Sequence, residues 1–122
     1  MEKERRQHKR VEANVGTAML NKENGKYVGK AKIVDISTGG LKLETPLKMN
    51  IGDRIVLNFV LSKREYISSS GLSVTGEVEA VWKMEKEKIA VYGVKFIDLS
   101  VIDRERIREY VNFKERENES FI

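Results

Sequence analysis

The sequence predicts a mainly β fold, a six-stranded antiparallel barrel with one C-terminal α-helix. Two observations predict it. Apolar residues recur at every second position in a series of short runs separated by turn residues, and only after residue 100 does the spacing change to that of a helix. Val11 to Leu20 is small and β-prone and ends at the turn signal Asn21 to Gly25. In Tyr27 to Val34, Tyr27, Gly29, Ala31 and Ile33 share one face while Lys30 and Lys32 take the other. Leu41 and Leu43 flank Lys42 in a short strand that stops near Pro46. Ile55, Leu57, Phe59 and Leu61 give the clearest alternation in the chain. Leu72, Val74, Val78, Ala80 and Trp82 share a further phase, with Thr75, Glu77 and Glu79 facing away, and Lys83 to Lys88 reads as a hairpin tip. Ala90, Tyr92, Val94 and Phe96 form the last strand. Closing six such strands into a barrel removes the exposed edges that an open sheet would present.

Ser100-Val101-Ile102-Asp103 has the form of a capping box with Asp in place of the usual Glu or Gln. From there to about Asn112, Ile107, Tyr110 and Val111 fall on one face, which predicts a helix packed on the barrel. Residues 114–122 are polar and are expected to fray as a tail. The organisation expected is an arm at 1–10, a barrel and helix at 11–113, and that tail.

Composition narrows the chemistry. The chain has 122 residues, room for one domain, with 40% hydrophobic and 34% charged residues. It contains no cysteine, which removes disulfides, thiolate metal sites and cysteine nucleophiles. The charged N-terminus has no apolar segment behind it, so no signal peptide is expected, and no apolar run approaches the roughly 20 residues that span a bilayer. A cytoplasmic protein without membrane insertion is the expectation. The net charge is +4, and residues 1–10 supply most of it, with Lys3, Arg5, Arg6, Lys9 and Arg10 against Glu2 and Glu4. The remainder mixes both signs as a solvated surface does. One local anion-attracting element suits a small anionic ligand better than long nucleic acid.

Two constellations carry the chemistry. Arg6 and Arg10 are spaced as RxxxR, and Asp35, Ser37 and Gly40 fit (D/N)xSxxG. Their order and separation, with Tyr92-Gly93-Val94-Lys95-Phe96 and Asp98-Leu99-Ser100 downstream, resemble the signature of the PilZ domain family over roughly Arg5 to Phe113. The resemblance implies a stand-alone cyclic di-GMP receptor, with Arg5, Arg6, Arg10, Asp35, Ser37 and Gly40 as the ligand-binding residues. The residue types suit that ligand. Arginine pairs bidentately with phosphate or with guanine O6 and N7 and stacks on a base. Asp35 accepts from guanine N–H groups, Ser37 donates and accepts, and Gly40 lets backbone and ligand approach closely. Relatives with an arginine directly before RxxxR bind two intercalated ligand molecules, which implies a ligand dimer here through Arg5. Trp82 shares the phase of Val74 and Val78 and is read as a core residue, with a place beside the ligand as the alternative.

The same residues have plainer readings. A basic N-terminus is commonly a solvated tail, and Asp-x-Ser with glycines is commonly a turn held by its own side chains. His8 stands in the arm without carboxylate company and is read as a surface residue. No nucleophile–base set, metal cluster or P-loop pattern is present, so neither an enzyme nor a cofactor is expected. The expected mechanism is ordering of the arm by cyclic di-GMP, which presents a new surface to a protein partner in motility, polysaccharide or adhesion machinery. Two rivals are a PilZ-like interaction module that binds no nucleotide and a barrel for single-stranded nucleic acid. The second would want aromatic residues interleaved with basic ones, and aromatics are only 7% of the chain.

Overall fold

A computed structural model describes residues 9–62, 69–84 and 88–119. Its strands are β1 (Val11–Asn21), β2 (Tyr27–Ile36), β3 (Gly40–Thr45), β4 (Arg54–Ser62), β5 (Ser69–Met84) and β6 (Ile89–Ile97), followed by helix α1 (Val101–Glu119). Every paired strand is antiparallel, and the order β1-β2-β3-β6-β5-β4 closes on itself through the β1–β4 ladder. The barrel expected from the alternation is the barrel observed.

The turns form where the sequence places turn residues. Asn21 Oδ1 accepts from the amides of Glu23 and Asn24 at 2.8 and 3.3 Å, and Gly25 supplies the left-handed φ of 70° that completes the β1–β2 hairpin. Between β3 and β4 the Tyr92 hydroxyl donates to the Leu47 carbonyl at 2.8 Å and accepts from the Met49 amide at 3.0 Å, tying that connection to β6.

Ile55, Leu57, Phe59 and Leu61 all point inward from β4 and are buried, as their spacing dictates. They meet Met19, Ile33, Ile36, Leu41, Leu43, Val78 and Val94 in a single core. Helix α1 adds Ile107, Tyr110 and Val111 to the same core. Burying a side chain such as Ile107 contributes about 1.5–3 kcal/mol. The helix starts as the capping signal predicts, with the Asp103 amide donating to Ser100 Oγ at 3.0 Å, while the Asp103 carboxylate turns to Arg106 at 3.7 Å.

Two expectations are corrected. The helix does not stop near Asn112 but continues to Glu119, so its last turns take in Lys114 to Glu119, residues expected to belong to a tail. Side-chain pairing supports this stretch: Lys114 meets Glu117 at 3.4 Å and lies over the Tyr110 ring at 6.0 Å. Trp82, expected in the core, is 50% exposed. The β5–β6 register slips between Val78 and Ala80, leaving Glu79 as an extra residue. A bulge of this kind inverts the alternation beyond it. Val81 therefore packs on the core, and Ala80 and Trp82 are turned outward.

Candidate ligand site on the outer wall

The turn from β2 into β3 is built by Ser37. Its amide donates to the Gly40 carbonyl at 2.8 Å. Its hydroxyl accepts from the amides of Gly39 and Gly40 at 3.1 and 3.2 Å and donates to the Gly40 carbonyl at 3.2 Å. Ser37 is only 3% exposed, and these bonds satisfy a hydroxyl that would otherwise be costly to bury. The Phe96 amide donates to Gly39 at 3.0 Å and pins the turn to β6. Gly40 is required for a related reason. A Cβ there would strike the Val94 carbonyl oxygen and lie 3.1 Å from Lys95 Cα. The missing side chain thus admits the β6 backbone.

Ahead of this rigid turn, Asp35 faces outward from β2 with 19% of its side chain exposed. Its two oxygens are engaged by different cations. Arg10 Nη1, at the entry to β1, donates to Oδ1 at 2.9 Å. Lys42 Nζ, from β3, stands 3.8 Å from Oδ2. The ladders explain the meeting, because Asp35 is paired with Lys42 across β2–β3, and Lys42 with Gly93 across β3–β6. Gly93 has no side chain, and the Trp82 ring occupies that space, 3.4 Å from where a Cβ would sit. Lys42 Nζ lies over this ring, 5.3 Å from its centroid. The result is a continuous strip on the outer wall: guanidinium, carboxylate, ammonium, indole. A neighbouring row on the same wall is closed by Glu77, which meets Arg54 at 3.1 Å and Lys95 at 3.5 Å. The hydrogen bond from Arg54 holds the Glu77 carboxyl below its usual range, opposed in part by desolvation and reinforced by Lys95.

The structure thus brings Arg10, Asp35 and Trp82 onto one strip and places Ser37 and Gly40 in the turn behind it. Arg5 and Arg6 lie outside the described residues, as does His8. Lys42 was not singled out by the sequence. The signal was present, since a turn from Ser37 to Gly40 sets Asp35 opposite Lys42, but it is legible only once the hairpin register is known. Among the described residues no group of His, Asp and Glu gathers as a metal site, and no helix is long and apolar enough to cross a membrane.

Fold and strip define a class of small closed barrels that display charged and aromatic groups on the outer wall. The PilZ domain family model matches residues 4–113, and the chain belongs to that family. Among solved structures it is similar to the inhibitor of motility MotI/DgrA of Bacillus subtilis, with a TM-score of 0.78 and 16% identity over 93% of this chain and 53% of that one. It is also similar to the PilZ domain of YcgR from Escherichia coli, determined with c-di-GMP, with a TM-score of 0.70 and 13% identity over 96% of each chain. A third similar structure is the MrkH–c-di-GMP complex of K. pneumonia, with a TM-score of 0.71 and 19% identity over 98% of this chain and 56% of that one. The chain spans about half the length of MotI/DgrA and of MrkH. At these identities the likeness is one of fold. No curated protein matches the chain.

Proposed function

We propose that this chain is a receptor for cyclic di-GMP, which it binds on the outer wall of the barrel between the arginine arm and the Asp35 turn. The observation that carries this reading is the Arg10–Asp35 contact at 2.9 Å, which sets the second arginine of RxxxR against the aspartate of (D/N)xSxxG. PilZ membership and the c-di-GMP-bound structures of YcgR and MrkH support it.

The chemistry follows from the donors and acceptors. Asp35 accepts from the guanine N–H edge, and in doing so takes donors in place of one or both of its cations. Arg10, displaced or shared, meets phosphate or the O6/N7 edge as a planar fork. Arg6 is four residues before Arg10, so its Cα lies within about 14 Å of Arg10 even in a fully extended chain. That tether keeps it within range of the same ligand. Arg5 engages a second, intercalated ligand molecule. Ser37 and Gly40 act through the turn they hold, with backbone rather than side chain toward the ligand. Binding settles the arm over the barrel and creates a surface for a protein partner, with motility, polysaccharide or adhesion machinery as the expected class. The role is recognition, not catalysis.

Calorimetric titration of the intact chain with cyclic di-GMP tests the reading. The expected result is saturable binding that weakens by about 100-fold in Arg6→Ala plus Arg10→Ala, the loss of two charge-assisted contacts. A stoichiometry of two ligands per chain falls to one in Arg5→Ala. Absence of heat from the intact chain, or an affinity untouched by the double substitution, overturns it.

A further inference from the structure

We propose that Lys42 is a further ligand-binding residue of this strip, an ammonium held by Asp35 and Trp82 and transferred to a ligand phosphate when a guanine base takes Asp35. The inference rests on the reading of the strip as a cyclic di-GMP site.

Three observations place Lys42 in that role. It stands directly across the β2–β3 ladder from Asp35, so the strand register delivers it to the carboxylate. Its hold there is the weaker of two. Arg10 makes a 2.9 Å hydrogen bond to Oδ1, whereas Lys42 is 3.8 Å from Oδ2, a charge contact without hydrogen-bond geometry. A group that binds Asp35 with its own donors displaces the weaker cation first. The second holder is the face of Trp82, 5.3 Å below Nζ, a cation–π contact that keeps the ammonium on the strip rather than free in water.

The side chain is 34% exposed, and its head lies beside Asp35 on the outer wall. Once a guanine edge occupies Asp35, the carboxylate keeps its charge but its acceptor sites are taken. The ammonium, which holds no hydrogen bond there, is free to turn to a second anion. It then lies beside a ligand that carries two phosphates. A compact, rotatable point charge suits that task, because it needs no fixed planar geometry. Lys42 would then supply affinity for the charge of the ligand, while Asp35 reads the base.

The test is a calorimetric titration of the intact chain and of Lys42→Gln and Lys42→Arg with cyclic di-GMP at low and high salt, with circular dichroism to establish folding. Arg10→Ala serves as the reference loss for the site. The expected result is binding about tenfold weaker in Lys42→Gln with a shallower salt dependence, and largely restored in Lys42→Arg. The only tryptophan in the chain gives an independent readout in the unsubstituted protein. Its emission changes on saturation as the ammonium leaves the ring. If the intact chain binds, Arg10→Ala weakens binding, and Lys42→Gln matches the parent in affinity and salt response, Lys42 is a cross-strand partner only and the proposal falls while the receptor reading stands. Unchanged tryptophan emission at saturation also counts against it. If the intact chain does not bind cyclic di-GMP, both readings fall.

Discussion

Asp35 holds a different cation on each oxygen, and its position depends on residues that never reach the solvent with their side chains. Ser37 uses its hydroxyl three times within its own turn. Gly40 lacks a Cβ because the Val94 carbonyl stands where one would be. A substitution at Gly40 therefore acts on the fold before it acts on any ligand. Gly40→Ala should destabilise the domain by about 1–3 kcal/mol, the usual cost of overpacking, read by urea denaturation without ligand. Unaltered stability would mean that β6 yields easily and that Gly40 serves some other purpose. The spacing of Asp35, Ser37 and Gly40 was legible in the sequence, but the division of labour among them was not. Two readings, turn and ligand contact, fit the same residue types, and only the hydrogen bonds assign Ser37 to the turn. Lys42 was hidden for a related reason. A lysine flanked by two leucines has the pattern of any solvated strand position.

At the scale of the element, β5 and α1 are the places where local pattern and structure part. The phase of β5 is regular from Leu72 to Val78 and then inverts at one extra residue. No composition signal marks Glu79 as that residue, so alternation carried Trp82 into the core when the bulge had turned it outward. Helix α1 departs in the other direction. Its start was legible in Ser100, whereas its end was not, because pairs such as Lys114 with Glu117 exist only once the turn has formed. Packing is what makes the helix part of the domain. Ile107 is fully buried, and Ile107→Ala should cost about 2–4 kcal/mol in a urea titration. A loss below about 1 kcal/mol would show that the helix contributes little to the core. Tyr110 gives the helix a pH response. Burial raises its phenol above the ordinary 10.0, an effect the Lys114 ammonium partly offsets. The folded state then keeps a proton that the unfolded chain releases, so the Tyr110 contribution is complete below 10.0 and is lost as pH rises through the folded value. Thermal unfolding followed into the alkaline range should fall less steeply in Tyr110→Phe than in the parent. Equal slopes would remove Tyr110 as the cause.

At the scale of the whole molecule, the barrel is a closed support and the proposed site lies on its outside. The interior is filled by core side chains, which leaves the wall as the surface for the proposed ligand. The segment leading into β1 is where wall, loop and helix come together: Lys9 lies 3.4 Å from Glu115 of α1, and Arg10 lies 2.9 Å from Asp35 of β2. An exposed pair such as Lys9–Glu115 contributes at most about 1 kcal/mol, so this junction is readily rearranged. Both the barrel and its helix could be read from alternation and capping, because those follow from the periods of strand and helix. The strip could not, since it joins residues from β2, β3, β5 and the approach to β1 that only the strand order and register make neighbours. Its function is best tested by mapping. Proton–nitrogen correlation spectra of the labelled intact chain, recorded as cyclic di-GMP is added, report every amide and the Trp82 indole together. Saturable shifts are expected at Arg10, Asp35 to Lys42 and the Trp82 indole, with β4 and the outer face of α1 little changed. Spectra that do not respond, or shifts confined to β4 and α1, would contradict a site on this strip.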